Sequence, residues 1–182
     1  MNLVLIGFMG VGKTSVGMGL AERLRRPFID TDSLIEEAYS LPITRIFEKH
    51  GEASFRETER RVVEEVGNRR RCVIATGGGV VLWKENVECL RRRGLLVHLT
   101  LSPETIFRRI GHETERPLLN TDNPRQTLET LFRSRDRLYR ACSDFTIDRD
   151  GLGVDETVER VLALAALHGL TSNGTDGPLE RK

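Results

Sequence analysis

Short apolar runs alternate along this chain with longer stretches whose apolar positions recur every three or four residues. Runs at 3–6, 27–30, 72–76, 95–99 and 145–147 have the length of buried strands. Amphipathic stretches at 13–23, 32–39, 44–49, 52–68, 84–93, 103–110, 124–139 and 154–167 read as helices. Ser102 is suited to cap the helix that opens at Pro103, and Gly94 to close the helix before the fourth strand. Apolar strands separated by helices imply a parallel sheet covered on both faces, an α/β fold without internal repeats. Ligands in such folds gather beyond the carboxyl ends of the strands, so the residues that follow each run matter most.

After the first run comes Gly7-Phe8-Met9-Gly10-Val11-Gly12-Lys13-Thr14, which matches the P-loop pattern between a strand signal and a helix signal. Its glycines let successive N–H groups turn inward toward phosphate oxygens, and the following helix aims its positive end at the same point. Lys13 adds a point charge near the β- and γ-phosphates, and the Thr14 hydroxyl is suited to Mg²⁺. An ordinary glycine-rich turn is the alternative; the complete motif in the correct flanks favours a nucleoside triphosphate.

The second run ends in Asp30-Thr31-Asp32, two carboxylates on one side of an extended chain. One is suited to a metal's water shell and the other to an acceptor hydroxyl, although either can simply cap the next helix. The third run leads into Gly77-Gly78-Gly79, where the backbone has reason to pass close to a substrate ring or phosphate, with a flexible turn as the alternative. Phe55-Arg56-Glu57-Thr58-Glu59-Arg60-Arg61 lies on a charged helix with pairs such as Arg56–Glu59 and Glu57–Arg61. One arginine held by such a glutamate can grip a carboxylate at two points. Residues 111–124, polar and bounded by Gly and Pro, read as a lid loop from which Arg116 can reach a transferring phosphoryl group. Arg108 and Arg109 end the preceding helix, where they favour its dipole.

Composition narrows the classes further. The chain has 182 residues, 38% hydrophobic and 30% charged, with a net charge of +1. That length suits one domain, and the balance favours neither a nucleic-acid nor a membrane partner. Cys72, Cys89 and Cys142 are widely spaced with no metal-ligand pattern, and the four histidines form no ligand-spaced cluster. With a strand beginning by Leu3 and no apolar run of transmembrane length, the chain reads as cytoplasmic. The polar, Gly-rich residues 169–182 read as a loose tail.

The P-loop, Asp-Thr-Asp, Phe-Arg-Glu-Thr-Glu, Gly-Gly-Gly, Arg-Pro-Leu-Leu at 116–119 and Arg-Asp-Arg-Leu-Tyr at 135–139 follow one another in an order that closely resembles the shikimate kinases. The resemblance covers residues 2–167 and implies a three-layer α/β/α fold with a central five-stranded parallel sheet in the order 2-3-1-4-5. It implies a kinase domain over residues 1–168 that phosphorylates the 3-hydroxyl of shikimate with ATP and Mg²⁺, acting as a monomer. By the same resemblance Gly10, Val11, Gly12, Lys13, Thr14 and Ser15 serve the nucleotide, and Thr14 and Asp30 the metal. Arg109 packs near the adenine, and Arg116 is the lid arginine. Asp32 binds the ring hydroxyls, Arg56 and Arg135 the carboxylate, and Gly77, Gly78 and Gly79 lie against the ring; Lys13, Asp32 and Arg116 carry the chemistry. One departure is Asp148-Arg149-Asp150-Gly151, where the family often has another basic residue near the adenine; Arg149 stays outside the implied set. The rivals are a P-loop kinase for gluconate or a nucleoside monophosphate, and a nucleotide-dependent switch, against which stands the lack of an Asn-Lys-x-Asp motif.

Overall fold

A computed structural model describes residues 1–110, 119 and 121–170. Five parallel strands, β1 (Asn2–Ile6), β2 (Phe28–Asp30), β3 (Val73–Ala75), β4 (Gly94–Thr100) and β5 (Phe145–Asp148), pair in the order 2-3-1-4-5. Every residue of β1, β3 and β4 is buried. A strand hidden on both faces needs cover on both, which is why these runs are apolar throughout instead of alternating. The cover comes from α1 (Lys13–Leu24), α2 (Thr31–Tyr39), α3 (Ile43–Asn68), α4 (Lys84–Arg91), α5 (Pro103–Ile110), α6 (Pro124–Cys142) and α7 (Val154–Leu167). α1 packs on α7 and α3 on α4, giving the three-layer α/β/α architecture.

Most boundaries fall where the pattern predicts them, for physical reasons that can be named. Asn123 accepts from the N–H of Gln126 ahead of Pro124, and the Ser102 hydroxyl accepts from the N–H of Thr105. Gly94 does not close a helix. It opens β4, where any Cβ would stand 2.7 Å from both the Leu90 carbonyl oxygen and a Val4 methyl. Its lack of a side chain therefore serves packing. The helices expected at 44–49 and 52–68 are both present: α3 is two helices that meet at a kink, where Gly51 (φ 75°, ψ 168°) leaves the helical conformation. A 3-10 turn at Val80–Leu82, too short for a periodic signal, links β3 to α4. Gly169 and Leu170, placed with the tail by sequence, instead finish α7: their N–H groups donate to Ala166 and Ala165, and Leu170 is buried. The rest of that tail, and 111–118 of the expected lid with Arg116, lie outside the described residues. No helix among the described residues is long and apolar enough to cross a membrane.

Register brings the functional ends together. Asp30 is level with Ala75 and Ala75 with Leu5, so the P-loop, the Asp30 turn and the glycine run leave the sheet side by side. β1, at the centre of the order, sits between β3 and β4, which places the P-loop over the middle of the sheet's carboxyl edge.

Candidate active site

A cleft of about 640 Å³ opens over that edge. One end is the P-loop. Gly10 (φ 76°) and Gly12 (φ 83°) hold the left-handed conformations the loop requires, and Gly12 hands the chain to α1, whose first residues Lys13, Thr14 and Ser15 line the cleft. The Lys13 ammonium donates to the carbonyls of Gly7 and Phe8, both at 2.9 Å, which holds the charge across the loop. Gly10, Gly12, Lys13, Thr14, Ser15 and Arg109 all line the cleft. Val11 does not; its side chain is fully buried in the core, leaving only its backbone to serve a ligand.

Asp30 and Asp32 stand at the middle of the cleft, but not on one extended stretch. The chain turns helical at Thr31, and Asp30 caps α2 by accepting from the N–H of Asp32 at 3.0 Å. Capping and function coexist, because the other Asp30 oxygen accepts from the Thr14 hydroxyl at 2.8 Å. That pair presents a hydroxyl and a carboxylate, hard oxygen donors that suit Mg²⁺. Among the described residues no cluster of three or more His, Cys, Asp or Glu side chains is arranged for a metal. The donor set thus fits an ion that keeps waters and takes its remaining oxygens from substrate phosphates. Asp32 sits deeper. Burial raises its pKa to about 6, against the pull of Lys13 and with help from Asp30, Glu59 and Glu36.

The far end is built on α3 and α6. The Arg56 side chain is 9% exposed and is gripped by Glu59 at 2.9 Å and Glu52 at 3.1 Å. Burial disfavours the Arg56 charge, but the two carboxylates more than restore it. Glu59 is itself buried; one oxygen holds Arg56 and the other has no hydrogen-bond partner among the described residues. Arg135, also buried, reaches across from α6 and donates to the Gly78 carbonyl at 3.4 Å. Tyr139, one turn further on, donates to the same carbonyl and stacks on His98 of β4 at 5.1 Å between centroids. Phe47 and Phe55, 4.7 Å apart, supply an apolar wall.

The glycine run has a more specific explanation than either alternative. A Cβ at Gly77 would stand 2.5 Å from an Asp32 carboxylate oxygen and 3.1 Å from Glu59. A Cβ at Gly79 would overlap the Arg56 guanidinium. Gly77 and Gly79 are empty so that the site's own side chains can lie against them, whereas a Cβ at Gly78 would meet only backbone at 3.4 Å or more. The structure thus brings together every sequence-selected residue except Val11, present through its backbone, and Arg116, which lies outside the described residues. Sequence reasoning missed Glu59 as the buried anchor, Tyr139, and the wall residue Phe47. The charge pattern offered Glu59 as a partner of Arg56, but its burial has no sequence signal.

Comparison with known proteins agrees with this geometry. The family model described as shikimate kinase matches residues 9–166. A shikimate kinase of Burkholderia pseudomallei is 42% identical over 94% of this chain and 93% of its own length. One from Thermodesulfovibrio yellowstonii is 44% identical over 88% and 92%. The solved shikimate kinase of Acinetobacter baumannii in complex with shikimate superposes with a TM-score of 0.89 at 39% identity, covering 93% of this chain and 95% of that one. A gluconokinase from Sinorhizobium meliloti, 20% identical with a TM-score of 0.56, shares the fold alone. With the family model spanning most of the chain and such relatives covering nearly all of it, this chain belongs to the shikimate kinase family.

Proposed function

We propose that this chain phosphorylates the 3-hydroxyl of shikimate with ATP, giving shikimate 3-phosphate and ADP, a step toward the aromatic amino acids. The observation that carries the reading is one cleft lined by the P-loop, by Arg56 and Arg135, and by Asp32, which joins Asp30 at the P-loop side and Glu59 beside Gly77. A ring acid whose carboxylate meets the two arginines turns a hydroxyl toward Asp32 and the γ-phosphate. Two guanidinium groups from different helices select a carboxylate by charge and geometry together.

In the reaction a bond forms between the 3-oxygen and the γ-phosphorus while the bond to the β–γ bridging oxygen breaks. The transition state is loose, so the acceptor needs little early deprotonation. Asp32 chiefly orients the hydroxyl and takes its proton late. With a pKa near 6 it is ionised at neutral pH and still basic enough to accept. Lys13 and the P-loop N–H groups stabilise the charge spreading over the phosphoryl oxygens. Arg116, outside the described residues, is the further cation that this reading assigns to stabilising that charge. Thr14 and Asp30 would hold Mg²⁺, which would supply neutralisation of phosphate charge. Arg109 packs near the adenine, and the reading carries with it a monomeric, cytoplasmic enzyme.

The test is ATP consumption by the purified protein with Mg²⁺ and shikimate, gluconate or AMP as acceptor. Stimulation by shikimate alone is expected. Stimulation by either comparison acceptor instead, or by none, overturns the reading.

A further inference from the structure

Behind the P-loop lies an arginine that the motifs leave unexplained. Arg149 follows β5 directly and is 2% exposed. Its Nη1 donates to the carbonyl of Val11, and its Nε donates to the Thr157 hydroxyl at 3.0 Å. Thr157 is fully buried in the first turn of α7 and donates in turn to the Gly153 carbonyl at 2.7 Å. The backbone around Arg149 is held as firmly. Its N–H donates to Thr100 at the end of β4, and Asp150 accepts from the N–H of Ser102 ahead of α5. A Cβ at Gly12 would overlap the Arg149 guanidinium. Arg149 and Gly12 therefore occupy one space between them.

This cation is unusual in its partners. No carboxylate pairs with Arg149 among the described residues, and the nearby charge that acts on it is Arg109, of like sign. Burial, followed by that repulsion, lowers its pKa. Buried charges are normally paired, and leaving one unpaired next to a second cation disfavours the fold. An anion in the P-loop whose Val11 carbonyl Arg149 holds offsets that cost.

We infer that Arg149 is a positioning residue for the nucleotide: it braces the Val11–Gly12 turn of the P-loop through the Val11 carbonyl, and its charge, which no carboxylate among the described residues pairs, adds to the field that receives the phosphates. It acts through the loop and not by touching the substrate. The carbonyl it holds lies between Gly10 and Gly12, which both line the cleft, so fixing it fixes the turn that receives the phosphates. Thr157 sets the guanidinium in register, which links α7, remote from the cleft, to nucleotide affinity. The inference rests on ATP being the ligand of this P-loop.

Arg149→Met, Arg149→Lys and Thr157→Val test it, with the KM for ATP, the affinity for shikimate titrated without nucleotide, and thermal stability measured in parallel. Loss of a hydrogen bond from a charged group is expected to raise the KM for ATP about tenfold or more in Arg149→Met. Shikimate affinity stays within about twofold, because Arg56 and Arg135 are untouched by a P-loop adjustment. Arg149→Lys keeps the charge without the paired donors and recovers part of the loss. Thr157→Val raises the KM for ATP in the same direction by a smaller factor. An unchanged KM for ATP in Arg149→Met, or equal weakening of both substrates, overturns the inference. If Arg149→Met does not fold, Thr157→Val decides, and an unaltered KM for ATP there overturns it equally. Wild-type protein that consumes no ATP with shikimate fails the proposed function instead, and that is measured first.

Discussion

Asp32 shows what a functional position asks of a single residue. Its carboxyl is pushed up to about 6 from an ordinary 3.8, first by burial and then by Asp30, Glu59 and Glu36, while Lys13 opposes. Between those two values the folded chain holds a proton that the unfolded chain has released, so stability falls as pH rises through that interval. The full span amounts to about 3 kcal/mol at most. Asp32→Asn removes the ionisation and is expected to raise the melting temperature at pH 8 but hardly at pH 4, as followed by thermal unfolding. In the same variant turnover falls at least roughly a hundredfold, within the range for acid–base roles. In the wild type, kcat/KM for shikimate rises across an apparent pKa near 6, and Asp32→Asn flattens that limb. Equal melting shifts at both pH values, or near-normal turnover, would remove Asp32 from this role.

Two glycines on or beside α3 separate function from stability at the scale of an element. Gly79 has φ −100° and ψ −4°, angles open to any residue, so the obstacle to a side chain there is the Arg56 guanidinium alone. Gly79→Ala pushes the movable end of a side chain, so the chain keeps its fold and the carboxylate grip suffers. The KM for shikimate is expected to rise about tenfold, as for a lost charged contact, with little change in melting. Gly51 is the reverse case. Nothing lies within 4 Å of a Cβ there, but its φ of 75° with ψ of 168° is a conformation for glycine. Gly51→Ala costs about 1–3 kcal/mol of stability through backbone strain. Urea titration of both variants beside shikimate kinetics checks the contrast; a Gly79→Ala variant that unfolds early while binding shikimate normally contradicts it. The bend at Gly51 also turns 43–50, with Phe47, toward the cleft that Phe55 and Arg56 line from 52–68.

For the molecule as a whole, the nucleotide reading predicts linkage between ligand and fold. ATP with magnesium at about a hundredfold above its dissociation constant adds about 2.7 kcal/mol, a rise of roughly 5–10 °C in melting temperature. A chelator in place of magnesium shrinks the rise, because Thr14 and Asp30 then face the phosphates without the ion. No shift with ATP and magnesium would contradict it. The sequence by itself determined the parallel sheet and the P-loop, since apolar runs buried on both faces and a glycine pattern between strand and helix are local signals. It also marked Asp32, Arg56 and Gly77–Gly79 as candidates, because charge and glycine are visible wherever they stand. Only the tertiary structure decided that Gly77 and Gly79 are empty for Asp32, Glu59 and Arg56, that Glu59 is buried, and that Arg149 braces the P-loop from behind. Those facts join residues tens of positions apart through van der Waals contact and burial, which exist only once the strands have set their order and register.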